Sequence, residues 1–229
     1  MEIVSVNVGT PREVEWRGAP VRTSIFKDPV SGPVFVRGEN LAGDEQSDLS
    51  VHGGPNKAAY VYQAEHYDFW RSELPNDELG GGSFGENLTI AGLPDEDGIF
   101  VGDRLRAGSA LLAVTQPRLP CFKLSIRFGR PDMVKRFLAS GRTGFYLSVV
   151  DEGLVAAGDS VELVSRNPDR ISVADITRLY ARDRSDIETM RRAAELEALP
   201  EEWRSWFRER IVAAADPSAR SAAEAPQLG

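Results

Sequence analysis

The chain has 229 residues, 41% hydrophobic and 27% charged, enough for one large globular domain or a domain with a small appendage. No run of ~18 apolar residues marks a transmembrane helix, and the start MEIVSVNVGTPREVEW lacks the basic-then-apolar order of a signal peptide. A net charge of −8 argues against a nucleic-acid binder, and the single cysteine, Cys121, excludes an internal disulfide and suits the cytoplasm.

Residues 1–165 are predicted as many short strands. Ile3, Val4, Val6 and Val8 begin the first. Thr23–Phe26, Val34–Val36, Ala58–Tyr62, Asn87–Ile90, Leu111–Gln116, Phe145–Val150 and Val161–Val164 supply others, parted by Gly, Pro and Asp clusters. VGDRLRAG and AGDSVELV each place a Gly-Asp turn before a strand. A helix is expected near Ala64–Leu74, with Tyr67, Trp70 and Leu74 on one face, and another after Pro131, carrying Met133, Phe137 and Leu138. Frequent turns between short strands predict a mainly β, barrel-like domain over 1–165 with a few helices.

The character changes at Asn167-Pro168, and a small three-helix domain is predicted over 168–215. Ser172 with Asp175 and Ser185 with Glu188 have capping-box spacing. The third helix opens at Pro200-Glu201-Glu202 and buries Trp203, Trp206, Phe207 and Ile211. Residues 216–229, rich in Ala, Ser and Pro, are expected to be a disordered tail.

Several chemistries fail on residue counts. GGGSFG (Gly80–Gly85) fits GxGxxG, but it follows the polar ELPNDEL and leads into a strand, the wrong context for a dinucleotide loop. Two histidines and one cysteine cannot build a three-His or two-Cys-one-His zinc site, and no cysteine cluster can hold iron and sulfur. His66, in QAEHYDFW, reads as a surface or packing residue. His52 lies in VHGGPNKAA, whose Gly53-Gly54-Pro55 turn could set backbone N–H groups against an anion.

Cys121 lies in QPRLPCFKL. From Gln116 to Arg130 the chain carries Arg118, Lys123, Arg127 and Arg130 and no acid. Local positive charge in an acidic protein suits a small anionic ligand. Nearby cations favour a thiolate, and Pro117 and Pro120 stiffen the loop that presents it. One thiolate is a poor complete metal site but an adequate single ligand for a metal already held by a cofactor, whose phosphate the cations would bind.

Four stretches in order, LAGDEQSDLSVHGGPNKAAYVYQAEHYDFW, FGENLTIAGL, VGDRLRAG and QPRLPCFKL, resemble MOSC proteins, named for the molybdenum cofactor sulfurase C-terminal domain. The resemblance covers residues 1–165, and the helices that follow are similar to the C-terminal domain of the stand-alone YiiM-like type. It implies a largely β, barrel-like fold that binds molybdenum cofactor, a pterin dithiolene with a terminal phosphate, through Cys121 as molybdenum ligand. It also implies reduction of N-hydroxylated base analogues such as 6-hydroxylaminopurine to the amine and water.

Beside that resemblance, His52 and Lys57 are candidates for proton delivery or cofactor contact, and Arg118 and Lys123 for phosphate or oxo contacts. Gly53 and Gly54 would supply backbone contacts. Asp44 and Asn87 could hydrogen-bond the pterin or simply shape turns, and Gln116, Arg127 and Glu86 rank lower. No flavin motif is present, so a reductase would draw electrons from a separate protein; neither nucleic acid nor membrane is expected as a partner, and a homodimer is compatible. Two other readings stay open: a cofactor-binding carrier without a reaction of its own, and a metal-free cysteine enzyme using Cys121 and His52.

Overall fold

The computed structural model describes residues 1–47 and 53–215. His52 and the 216–229 tail lie outside the described residues. Strands β1 (Glu2–Val8), β2 (Arg12–Trp16), β3 (Ala19–Thr23), β4 (Asp28–Pro29), β5 (Val34–Arg37) and β6 (Asn40–Leu41) come first. A 3₁₀ turn (Pro55–Lys57), β7 (Ala59–Gln63), α1 (His66–Glu73), β8 (Leu88–Ala91), β9 (Arg104–Ala107) and β10 (Ala110–Pro117) follow. Then come α2 (Phe122–Phe128), α3 (Met133–Ser140), β11 (Phe145–Asp151), β12 (Gly153–Val155) and β13 (Val161–Ser165). The last elements are α4 (Val173–Ala181), α5 (Ile187–Glu195) and α6 (Glu201–Ala215).

The main sheet has eight strands in the order β13-β9-β10-β11-β7-β8-β1-β4. Every pair in it is antiparallel except β7/β8. A parallel pair needs a long crossover, and here α1 and the glycine turn after it supply one. The sheet curls, and Ile3 N–H reaches Asp159 O at 2.9 Å while Val161 N–H reaches Met1 O at 2.8 Å. Only an isolated bridge, Glu2 to Ser160, joins those ends, so the domain is mainly β and barrel-like without closing into a barrel. Its interior is aliphatic, with Ile3, Val6, Val61, Leu88, Leu112 and Phe145 all buried.

Two further cores flank it. Tyr60, Tyr62, Tyr67, Trp70, Phe84 and Phe137 make an aromatic layer between the sheet, α1 and α3. Trp203, Trp206, Phe207, Ile176 and Leu179 centre the helical unit, and Val101 and Leu119 of the β domain belong to that same core.

The structure corrects two local expectations. Residues 24–27 form no strand, because the chain leaves β3 at Thr23, whose Oγ1 accepts Ile25 N–H at 3.2 Å in place of a ladder partner. The helix α5 is capped by Asp186, which accepts Thr189 N–H at 3.0 Å, and not by Ser185. Ser185 instead donates its hydroxyl to Asp183 at 2.7 Å. Of the two readings of His66, surface or packing, the structure gives packing: it is buried, with Nε2 3.0 Å from Glu96 and its ring against Tyr62. Ser172 and Asp175 do form the reciprocal capping box of α4.

Candidate active site

Three adjacent strands set the floor of the site. β10 pairs Gln116 with Tyr146 of β11, and β11 pairs Tyr146 with Tyr60 of β7. Side by side in one sheet, these residues fix where the next segment leaves it. Beyond Pro117, Arg118 N–H donates to Gly144 O at 3.3 Å, and its side chain turns under the loop. The guanidinium carbon lies 5.4 Å from the Tyr60 ring centre and 5.2 Å from that of Phe137, a double cation–π contact. Arg118 is 4% exposed and its Nη1 has no hydrogen-bond partner. Burial opposes its charge, but the Tyr60 and Tyr146 hydroxyls and the Cys121 sulfur outweigh burial and hold its pKa above the ordinary value.

Cys121 is half-buried and caps α2, in extended backbone at φ −107° and ψ 175°. The left-handed Gly129, at φ +62°, ends that helix after two turns. Lys123 in its first turn is buried and donates Nζ–H to Ser47 Oγ at 2.9 Å.

Gly53 and Gly54 both hold positive φ, +89° and +85°, where a side chain would be strained, and they turn the chain into the Pro55–Lys57 turn. Lys57 is thereby aimed at the cysteine loop. Burial lowers its pKa, while Glu202 of α6 and Cys121 pull the other way.

Lys27 completes the basic lining. It is buried against the carboxylate of Asp44, and burial lowers its pKa against the raising effect of that carboxylate. Asp44 also accepts Gly9 N–H at 2.8 Å and Asn87 Nδ2–H at 2.9 Å. Asn87 in turn accepts Tyr60 N–H at 3.1 Å.

A cleft with about 60 Å³ of water-reachable space opens among these groups, lined by Cys121, Lys27, Lys57, Arg118, Lys123, Gly53, Asn87, Tyr60 and Tyr146. Of the residues expected from the sequence, Cys121, Lys57, Arg118, Lys123, Gly53 and Asn87 meet here. Asp44 lies behind Lys27, Gly54 is absent from the lining, and His52 is outside the described residues. Gln116 faces away and accepts the Trp203 indole N–H at 2.6 Å, and Arg127 lies over Phe26 and Phe128.

Sequence reasoning missed Lys27, Tyr60 and Tyr146. The tyrosines fall on predicted strands and read as core. Lys27 has no local signal, because its partner is 17 residues away.

The GGGSFG turn serves the fold. Glu86 fills it, accepting Gly82 N–H at 2.8 Å, Phe84 N–H at 3.0 Å and the Thr89 hydroxyl at 2.9 Å. A phosphate would find those N–H donors already used. Gly85 lies so near Ile25 that a Cβ would stand 2.6 Å from Ile25 Cδ1.

Among the described residues, no group of three or more His, Cys, Asp or Glu side chains could hold a metal ion. A metal at this cleft would therefore bring its other ligands with it. The residues present fit such a group: a thiol can reach the metal, and a buried guanidinium with an unused N–H donor, beside three lysines, can take phosphate oxygens.

The MOSC domain family matches residues 48–162, and the family described as "YiiM-like, 3-alpha helix domain" matches 171–212. The Bacillus subtilis (strain 168) protein YflK is 42% identical over 205 residues, 90% of this chain and 92% of that one. A protein named "Reductase" from Gibberella moniliformis (strain M3125 / FGSC 7600) is 36% identical over 165 residues, 71% of this chain but 29% of that longer protein. The crystal structure of YiiM from Geobacillus stearothermophilus superposes with a TM-score of 0.77 at 35% identity, covering 92% of this chain and 98% of that one. MOSC domains are associated with molybdenum cofactor, and a thiol among cations is the kind of site such a cofactor would need. The chain belongs to the MOSC family, in its YiiM-like type with a C-terminal three-helix domain.

Proposed function

We propose that this protein is a molybdenum-cofactor-dependent reductase of N-hydroxylated compounds, 6-hydroxylaminopurine among them. The reaction breaks the N–O bond and consumes two electrons and two protons, giving the amine and water. The observation that carries this reading is the sole thiol of the chain opening into a cleft with Lys27, Lys57, Arg118 and Lys123. The Gibberella protein named "Reductase" supports it through its 36% identity to this chain.

When bound, the cofactor supplies two-electron chemistry at a metal that can take oxygen. Cys121 would give that metal a sulfur. Arg118 and Lys123 would hold the phosphate, Arg118 with an Nη1 that has no hydrogen-bond partner in the protein. Lys57 carries a proton toward the departing hydroxyl, and its lowered pKa makes it a better acid than an ordinary lysine. Tyr60 and Tyr146 close the floor against water. Electrons come from a separate reductase, and the protein works in the cytoplasm.

The test is molybdenum and pterin content of protein purified without oxygen, wild type beside Cys121→Ala, followed by turnover of 6-hydroxylaminopurine with an artificial electron donor. Near-stoichiometric metal and pterin, metal lost in Cys121→Ala, and turnover in the wild type are expected. Loading without turnover, with release to an apo-enzyme, would move the assignment to a cofactor carrier. Absence of both metal and pterin, from a host shown to load another molybdoenzyme, would overturn it.

A further inference from the structure

The cysteine loop is held on both flanks by the three-helix unit. On one side Gln116, 2% exposed, accepts the indole N–H of Trp203, itself fully buried, at 2.6 Å. On the other, Leu119 is 6% exposed and belongs to the core of the helical unit that holds Trp203. Arg118 lies between these anchors, and Cys121 follows two residues after Leu119. The neighbour of Trp203, Glu202, favours the charged form of Lys57. The start of α6 is therefore tied to the strand before Arg118 by a hydrogen bond and to the residue after it by a shared core.

We infer that the three-helix unit is a positioning element of this site, with Trp203 the positioning residue that fixes Arg118 and Cys121 through Gln116 and Leu119. A module with its own separate task would pack on the β domain through surface contacts. This one shares a core with the cysteine loop and meets a buried amide by a hydrogen bond that is costly to leave unmade. The unit thus backs the loop that lines the cleft, while its own residues stay out of the lining. The inference deepens the cofactor-site reading and rests on it for what the cleft holds.

The test is the rate at which iodoacetamide alkylates Cys121 in metal-free protein at one fixed pH, with thermal stability measured alongside. Trp203→Phe keeps an aromatic ring and removes the N–H donor. It should speed alkylation of the half-buried thiol about tenfold, because loss of the anchor raises the population of locally open loop. Phe207→Leu is the control. Phe207 is fully buried in the same helical core without the Gln116 bond, and its loss should lower stability while leaving the alkylation rate within about twofold of wild type. A rate in Trp203→Phe that is unchanged or slower, or a rise matched by Phe207→Leu, overturns the inference. Gln116→Met probes the same bond from the other side if Trp203→Phe does not fold. The readout needs no cofactor, so failure of the clamp and failure of the reductase assignment are separately visible.

Discussion

Asp44→Asn is the most informative single change, because it removes one charge with almost no change in volume. Lys27 and Asp44 side chains are 6% and 0% exposed. The Asp44 carboxylate meets donors on both oxygens: Gly9 N–H and the Lys27 ammonium on Oδ1, and the Asn87 amide on Oδ2. An asparagine can turn its oxygen toward Lys27 and Gly9, but its amide then faces that of Asn87, donor against donor. Asn87 cannot flip in response without giving up Tyr60 N–H. Turned the other way, the amide faces the Lys27 ammonium. Breaking a buried pair in this manner costs about 3–5 kcal/mol. For a chain of this size that is a fall in Tm of about 6–20 °C.

The pH dependence carries a sign. The folded-state pKa of Lys27 lies below its ordinary value through burial, so between the two values the unfolded chain binds more protons and stability rises with pH. Loss of Asp44 removes the interactions that oppose burial and widens the gap. The penalty of Asp44→Asn should therefore shrink as pH rises from neutrality toward 10. Thermal melts at pH 7, 8.5 and 9.5 read both effects. A pH 7 penalty under about 1 kcal/mol, or one that grows with pH, would refute the reasoning.

Two further changes test other parts of the site. Lys57 bears a pKa below its usual 10.5, so if its proton serves the reaction, kcat/KM falls as pH rises through that lowered value. Lys57→Arg should push this falling limb upward by more than about one pH unit, and a profile that superposes on wild type would remove Lys57 from the mechanism. Gly144 holds φ +62°, and a Cβ there would stand 2.2 Å from the backbone oxygen of Val61. Gly144→Ala should cost about 3 kcal/mol or more, read as a lower Tm or insoluble expression, because β7 must move and Arg118 loses its backbone partner; a shift under about 2 °C would contradict the contact.

The large strands were legible because their apolar residues alternate or run together between turn formers. Ile3–Val6, Leu111–Gln116 and Phe145–Val150 all fall inside β1, β10 and β11. The helical unit was legible for a different reason: Trp203, Trp206 and Phe207 repeat at helical spacing behind a Pro-Glu-Glu start. The β2/β3 hairpin was missed because REVEW and APVRT are mostly exposed and carry few apolar residues in alternation, and its turn is Arg17-Gly18, both at positive φ, without the usual Asn or Asp. The helix α2 hid inside the cysteine segment, since two turns give too little periodicity to read. At the site, the thiol and its sequence neighbours Arg118 and Lys123 announced themselves. Lys27 and the two tyrosines did not, because the sheet assembles them from segments tens of residues apart.

The four cations of the cleft are not equivalent, and their differences say which ligand the charge is for. Asp44 already offsets Lys27, so that residue adds shape more than field. Glu202 acts on Lys57 from the helical side. Among the described contacts, Arg118 meets aromatic rings and Lys123 a serine hydroxyl, so neither charge is cancelled by a carboxylate there. Two cations without a described carboxylate partner thus flank Cys121 in sequence, in a chain whose net charge is −8. A neutral N-hydroxylated base has no use for such a field, whereas a phosphate does, because a buried anion needs both charge and donors. Under the proposed function, then, the charge at this cleft serves the phosphate of the cofactor rather than the substrate.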